Sequence, residues 1–140
     1  MSIDPSTLPD DTGGSEWPEE AHGWFDVKFT SYRAEAKGDR TWFLLQFDDG
    51  NGRRASMSQN LFASPQTDNL KKANQITLGK LKQFFTACGL PESDLPAPSP
   101  AAIAKALNAY EGEATVGAFL GPDGRGYTEA TRFRKAGGAA

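Results

Sequence analysis

The sequence predicts a mainly β protein with an α insertion, a five-stranded Greek-key barrel in the order βββ-αα-ββ behind a disordered acidic N-terminal arm. Three observations predict it. Two apolar rows of period two are joined by tight-turn residues, a central run carries apolar residues at helical spacing, and a glycine-rich turn splits the C-terminal part into two further strands.

The alternation begins at Gly23. Phe25, Val27 and Phe29 form one row, while Trp24, Asp26, Lys28, Thr30 and Tyr32 fall on the other, which predicts a first strand to about Arg33 with a core face and an outer face. Ala36-Lys37-Gly38-Asp39 breaks it. In the second strand, Arg40 to Asp48, Phe43, Leu45 and Phe47 point inward and Arg40, Trp42, Leu44 and Gln46 outward. Asp48 to Gly52 is a turn whose glycines and Asn51 tolerate positive φ, and a third strand follows from Arg53 to about Phe62.

Leu70, Ala73, Leu78, Leu81, Phe84, Phe85 and Cys88 recur three and four residues apart, with Lys71, Lys72, Lys80 and Lys82 off the stripe. Either Asp68 or Thr77 is placed to cap a start, so the run is one helix or two short ones, stopped by Gly89 and Pro91. A proline-rich loop leads to Ser99-Pro100, an N-cap followed by proline at the first helical position, and a second helix with Ile103, Leu107 and Tyr110 inward ends near Gly112. Glu113 to Leu120 reads as a strand with Ala114, Val116, Ala118 and Leu120 on one face. Gly121 to Gly126 is a turn, Tyr127 to Arg134 the last strand, and 136–140 a frayed tail. This layout is that of an oligonucleotide/oligosaccharide-binding (OB) fold over 23–135, with an open α+β sheet as the alternative, since strand order is not written in the pattern.

The net charge of −3 averages two unlike parts. Residues 1–23 hold six acids and no Lys or Arg, whereas the remaining 117 hold 12 acids and 15 bases, a net +3. The first 22 residues, rich in Pro, Ser, Gly and Thr with Trp17 the only large ring, read as a flexible acidic arm. A mildly basic body does not exclude a nucleic-acid partner. The single Cys88 has no internal disulfide partner, and one Cys with one His falls short of a zinc site. The N-terminus lacks the basic start and apolar run of a signal peptide, and no segment is apolar enough to span a bilayer, so a cytoplasmic protein without a membrane partner is expected.

Enzyme motifs are sparse. The only His, His22, lies in the arm, so no Ser-His-Asp or Cys-His arrangement can form in the body; Gly79-Lys80 lacks the upstream glycine of a P-loop, and Asp48–Gly52 lacks the acid spacing of a calcium loop. Asp26 with Glu35-Ala36-Lys37 echoes the acid and Glu-x-Lys set of some metal-dependent nucleases, which group acids around a divalent ion. No catalytic residue, metal or cofactor is assigned. The binding pattern is stronger. The outer rows bring Trp24, Lys28, Tyr32, Arg40 and Trp42 together, Arg132 and Arg134 would add from the last strand, and Arg53 and Arg54 follow the second turn. Rings that stack on bases and cations that track phosphates are the combination that holds single-stranded nucleic acid. The competing reading of each ring is core packing, and of each base a solvated surface.

Gly23-Trp24-Phe25-Asp26-Val27, Lys37-Gly38-Asp39, Gly52-Arg53, the run Asn69 to Gly89 with Ala73, Ile76, Leu81 and Ala87 in register, and Tyr110-Glu111-Gly112 before Val116 follow one another in this order. In order and spacing, over about residues 23–135, the chain resembles a family of small bacteriophage single-stranded DNA-binding proteins long catalogued as a domain of unknown function. The family often has Asn near the start of its closing strand, where this chain has Tyr127-Thr128. The resemblance implies an OB fold and a role in phage DNA replication or recombination in an infected cell, with no catalytic residue. Single-stranded DNA is the expected partner. The acidic arm could compete for the basic groove or recruit replication or recombination proteins, and a homo-oligomer through exposed strand edges is left open. The alternatives are a protein-interaction module, an inhibitor or adaptor of a host enzyme, and, further off, the nuclease of Asp26, Glu35 and Lys37.

Overall fold

Five strands and two helices follow one another as β1 (Gly23–Lys37), β2 (Arg40–Asp48), β3 (Arg54–Phe62), α1 (Asp68–Ala87), α2 (Pro100–Tyr110), β4 (Thr115–Pro122) and β5 (Thr128–Lys135), with a short 3₁₀ turn at Glu92–Asp94 before α2. The structure, a computed structural model, describes residues 23–122 and 128–137. The acidic arm, most of the Gly121–Gly126 turn, Tyr127 and the last three residues lie outside the described part. The strands close into a barrel in the order β1-β2-β3-β5-β4, with β1 also paired to β4.

The turns form as their chemistry dictates. Lys37 pairs with Arg40 around a two-residue hairpin in which Gly38 takes φ +63°, a conformation that costs glycine little. After β2, Asp48 and Asp49 accept from Gly50 N (2.6 Å) and Asn51 N (2.7 Å) through their carboxylates, so the aspartates build the turn that the glycines permit.

β1 is longer than its pattern predicts and changes phase. A bulge between Phe29 and Ser31 inserts one residue against β2. Before it the odd residues face the core, and Val27 and Phe29 are buried; after it Tyr32 pairs with inward Leu45, and Arg33 and Glu35 pair with outward Leu44 and Trp42. Tyr32 therefore packs against the core, not on the outer face expected of it.

α1 is one helix. Its cap is Thr67, whose hydroxyl accepts from Leu70 N at 3.2 Å, rather than Asp68 or Thr77. Thr77 lies buried in mid-helix and donates to Asn60 O at 2.7 Å. The C-terminus is the expected glycine stop: Gly89, at φ +100°, donates to Thr86 O and Leu90 to Phe85 O, the paired bonds of a Schellman motif. Ser99 caps α2 as predicted, accepting from Ala102 N at 3.3 Å with Pro100 in the first turn.

α1 also explains how the barrel closes. β3 and β5 share a single parallel bridge, Ser56 with Glu129. Along the rest of the seam, helix side chains take the place of a strand. Asn74 pairs with both polar groups of Phe62 (2.8 and 2.9 Å) and Thr77 bonds Asn60 O on the β3 side; Lys80 donates to Thr131 O (3.2 Å) and Gln83 accepts from Phe133 N (2.8 Å) on the β5 side. Spaced three apart, these four lie along one ridge of the helix, and they satisfy backbone groups that would otherwise be orphaned. The seam is thus covered, which removes one edge through which copies could pair.

Beneath the seam, Phe84 of α1 sits among Phe29 (5.1 Å), Phe133 (5.3 Å) and Phe47 (5.8 Å), ring centre to ring centre, and all but Phe133 are essentially inaccessible. Ile103, Leu107, Val116, Ala118 and Leu120 complete the core as their spacing predicts. Among the described residues, no helix is long and apolar enough to cross a membrane.

Burial at the end of α1 pushes the Cys88 thiol up to about 12. The folded state then holds a proton that the unfolded chain releases near about 8.5. Stability should accordingly fall as pH rises from about 8.5 toward 12, because the unfolded state binds fewer protons over that window. Thermal melts at pH 7, 9 and 10 check this; the decline should flatten in Cys88→Ala.

Candidate functional site

The outer surface of the barrel carries two clusters of rings and cations on different stretches of wall. The first spans the start of β1 with β4 and β5. Trp24, Phe119 and Arg132 are cross-strand neighbours in one row, and Asp26, Gly117 and Arg134 form the next. Trp24 meets Phe119 edge to face with centroids 5.6 Å apart. The Arg132 guanidinium lies 4.4 Å from the Phe119 ring centre and 5.5 Å from Trp24, and that of Arg134 lies 4.2 Å from Trp24. These are distances at which a cation is attracted by the face of an aromatic ring.

Gly117 makes the arrangement feasible. A Cβ there would come within 3.0 Å of Arg134 Cγ and 3.3 Å of two β5 carbonyl oxygens. The bare backbone lets Arg134 lie across β4 toward Trp24, one row away.

The second cluster sits where β1, past its bulge, runs beside β2. Lys37 Nζ is 4.6 Å and the Arg33 guanidinium 5.6 Å from the Trp42 ring centre, and Trp42 Nε1 donates to Ser58 Oγ on β3 at 2.6 Å. Arg33 is ion-paired with Glu35, which stands directly opposite Trp42. Arg40 is exposed and lies two residues from Trp42 on the same face of β2.

The nine residues predicted to bind nucleic acid are thus divided. Trp24, Arg132 and Arg134 come together, Trp42 and Arg40 belong to the second cluster, and Lys28 is exposed on β1 between them, paired with Asp48 and Thr115. Arg53 lies over the Phe25 ring at 4.7 Å and 3.8 Å from Asp49, while Arg54 reaches Asp48 at 3.9 Å with its side chain largely in solvent. Tyr32 belongs to neither cluster. Its hydroxyl donates to Ala104 O of α2 at 3.2 Å, and its backbone N–H donates to Glu111 Oε2 at 3.1 Å. Tyr32→Phe should therefore cost about 1 kcal/mol of stability, the net worth of one hydrogen bond, as read from urea melts.

No family model matches the chain, and no curated protein matches it. The site rests on its own geometry.

Three residues of the two clusters, Phe119, Arg33 and Lys37, were not among those expected. Phe119 falls on the outer row of β4 with Thr115 and Gly117, an alternation legible once the inward row is set. Arg33 and Lys37 reach the outer face only through the bulge. Its trace in the sequence is a change of phase, from apolar odd positions up to Phe29 to Tyr32, Ala34 and Ala36 set between Arg33, Glu35 and Lys37.

The nuclease constellation does not assemble. Asp26 and Glu35 lie on opposite sides of the bulge, about 30 Å apart along an extended strand at about 3.3 Å per residue. Asp26 accepts from Gly137 N at 3.1 Å through both oxygens, which ties the start of the C-terminal tail to β1, and Glu35 is taken by Arg33. Among the described residues, no three His, Cys, Asp or Glu side chains converge as a metal site would need.

Proposed function

We propose that the barrel is an OB fold that binds single-stranded DNA by stacking bases on its outer rings and holding phosphates with the cations around them, in DNA replication or recombination of the phage type. The closed strand order β1-β2-β3-β5-β4, with α1 and α2 between β3 and β4, supports the OB reading, five-stranded barrels being the architecture of that class. The observation that carries the function is the Trp24–Phe119 pair with Arg132 and Arg134 laid over it. Rings and guanidinium groups gathered on a strand face suit a flat base and its phosphate together. The Trp42 cluster supplies the same chemistry a second time, and the ordered resemblance to phage single-strand binders agrees with both.

Stacking accepts every base, so little sequence preference follows. Duplex DNA, whose bases face inward, offers these rings nothing to stack on.

Fluorescein-labelled oligo-dT titrated at increasing salt, with Trp fluorescence as a second readout, tests the proposal. Quenching is expected on binding, with log K falling linearly against log salt at a slope of about −0.7 per phosphate contacted. Absence of both binding and quenching at low salt overturns it.

A further inference from the structure

We infer that the groove between α1 and β5 is a second contact for the same DNA strand, holding its sugar-phosphate backbone against the helix at Gly79; the inference rests on the DNA-binding reading of the barrel. The groove is open, about 320 Å³, and Gly79, Lys82, Gln83 and Thr86 of α1 line it opposite Arg134 and Lys135 of β5. The four helix residues recur at intervals of three and four, so they share one face.

Gly79 is the telling residue. It stands twelve positions into a twenty-residue helix, exposed, where glycine is among the poorest helix formers. Packing among the described residues does not call for it, because a Cβ placed there meets none of them within 4 Å. What glycine supplies is a stretch of helix surface without a side chain, open to close approach from outside.

Among the described residues, the charged side chains around that opening are all cationic. Lys82 and Lys135 line it with Thr86 and with Arg134, whose guanidinium turns toward Trp24, beside the apolar Ala87 and Phe133, and among the described residues no Asp or Glu does. Gln83 Oε1 is already engaged by Phe133 N, which directs the donor end of its amide elsewhere. Glu92 is 3.8 Å from Lys82 Nζ across an ion pair exposed on both sides, an interaction of small net worth that a phosphate can replace. A polyanion with a slender backbone fits this groove in both charge and shape.

Arg134 links the groove to the ring cluster. The residue that lines the groove also places its guanidinium 4.2 Å from the Trp24 ring centre. A strand stacked on Trp24 and Phe119 can thus continue past Arg134 along α1, away from the Trp42 wall.

Gly79→Gln, and separately the double variant Lys82→Ala/Lys135→Ala, test this with labelled oligo-dT beside wild type and Trp24→Ala. Gly79→Gln should melt at or above the wild-type temperature yet bind several-fold more weakly. The double variant should lower the salt slope by about 1.4, two phosphate contacts at about 0.7 each. Should Gly79→Gln prove less stable, the double variant decides, since both lysines are exposed. Wild-type affinity and slope in both variants, with binding impaired in Trp24→Ala, overturns the groove and leaves the DNA-binding reading standing. No binding by the wild type removes both.

Discussion

Phe84→Ala is expected to destabilise the protein by about 3–5 kcal/mol, measured as a shift of the urea midpoint at constant m-value. The side chain is fully buried and meets Phe29, Phe47 and Phe133, with Phe85 alongside at 5.5 Å. It is the point where α1 enters the barrel. Its loss removes apolar contact on every side and leaves a cavity bounded by rings that are held in strands and cannot collapse into it. Domains of this size have roughly 5–15 kcal/mol to lose, so the variant should be close to unfolding at 37 °C. The polar ridge of Asn74, Thr77, Lys80 and Gln83 would fail with it, because these side chains reach β3 and β5 only while the helix is seated.

Trp24→Ala should weaken oligo-dT binding by about 5- to 150-fold while the melting temperature changes little, a stacked base being worth roughly 1–3 kcal/mol. Trp24 is half-buried on the outer face, and Phe119 and the two arginines remain when it goes. Trp42→Ala should act in the same way. The two effects should add in the double variant, because separate stretches of β1 carry the two clusters and they share no partner among the described residues. Loss of folding in Trp24→Ala, rather than of binding, would identify its ring as structural. Equal binding by wild type and the double variant would remove both rings from the interface.

The two assignments for β1 differ for a physical reason. Its first half could be read from the alternation of Phe25, Val27 and Phe29, since a strand against a core must present one row to it. Beyond Phe29 the same rule placed Tyr32 outside and left out Arg33 and Lys37. A bulge is a mismatch in the count of residues between two paired strands, so it belongs to the β1–β2 pairing and not to β1 alone. One residue of slip then exchanges every inward and outward side chain after it. The nuclease pattern of Asp26, Glu35 and Lys37 fails through the same distinction, because proximity along the chain is stretched out by an extended strand.

Local chemistry determined much by itself. Gly38, the Asp48–Gly52 cluster, Ser99-Pro100 and Gly89 each act within a few residues of backbone, and each turn or cap lies where its residue type places it. The inward rows of β2 and β4 and the apolar stripe of α1 were legible for the same reason, since periodicity is a property of one element. What only the tertiary structure decided is what lies between elements. The closing order of the strands, the use of α1 as a substitute strand along the β3–β5 seam, and the separation of the rings into two clusters all depend on which strand lies beside which. Burial drives each apolar row inward, but a row is equally buried beside several possible neighbours. Hydrogen-bond register and the fit of the phenylalanine cluster choose among them, and neither is encoded within a single element.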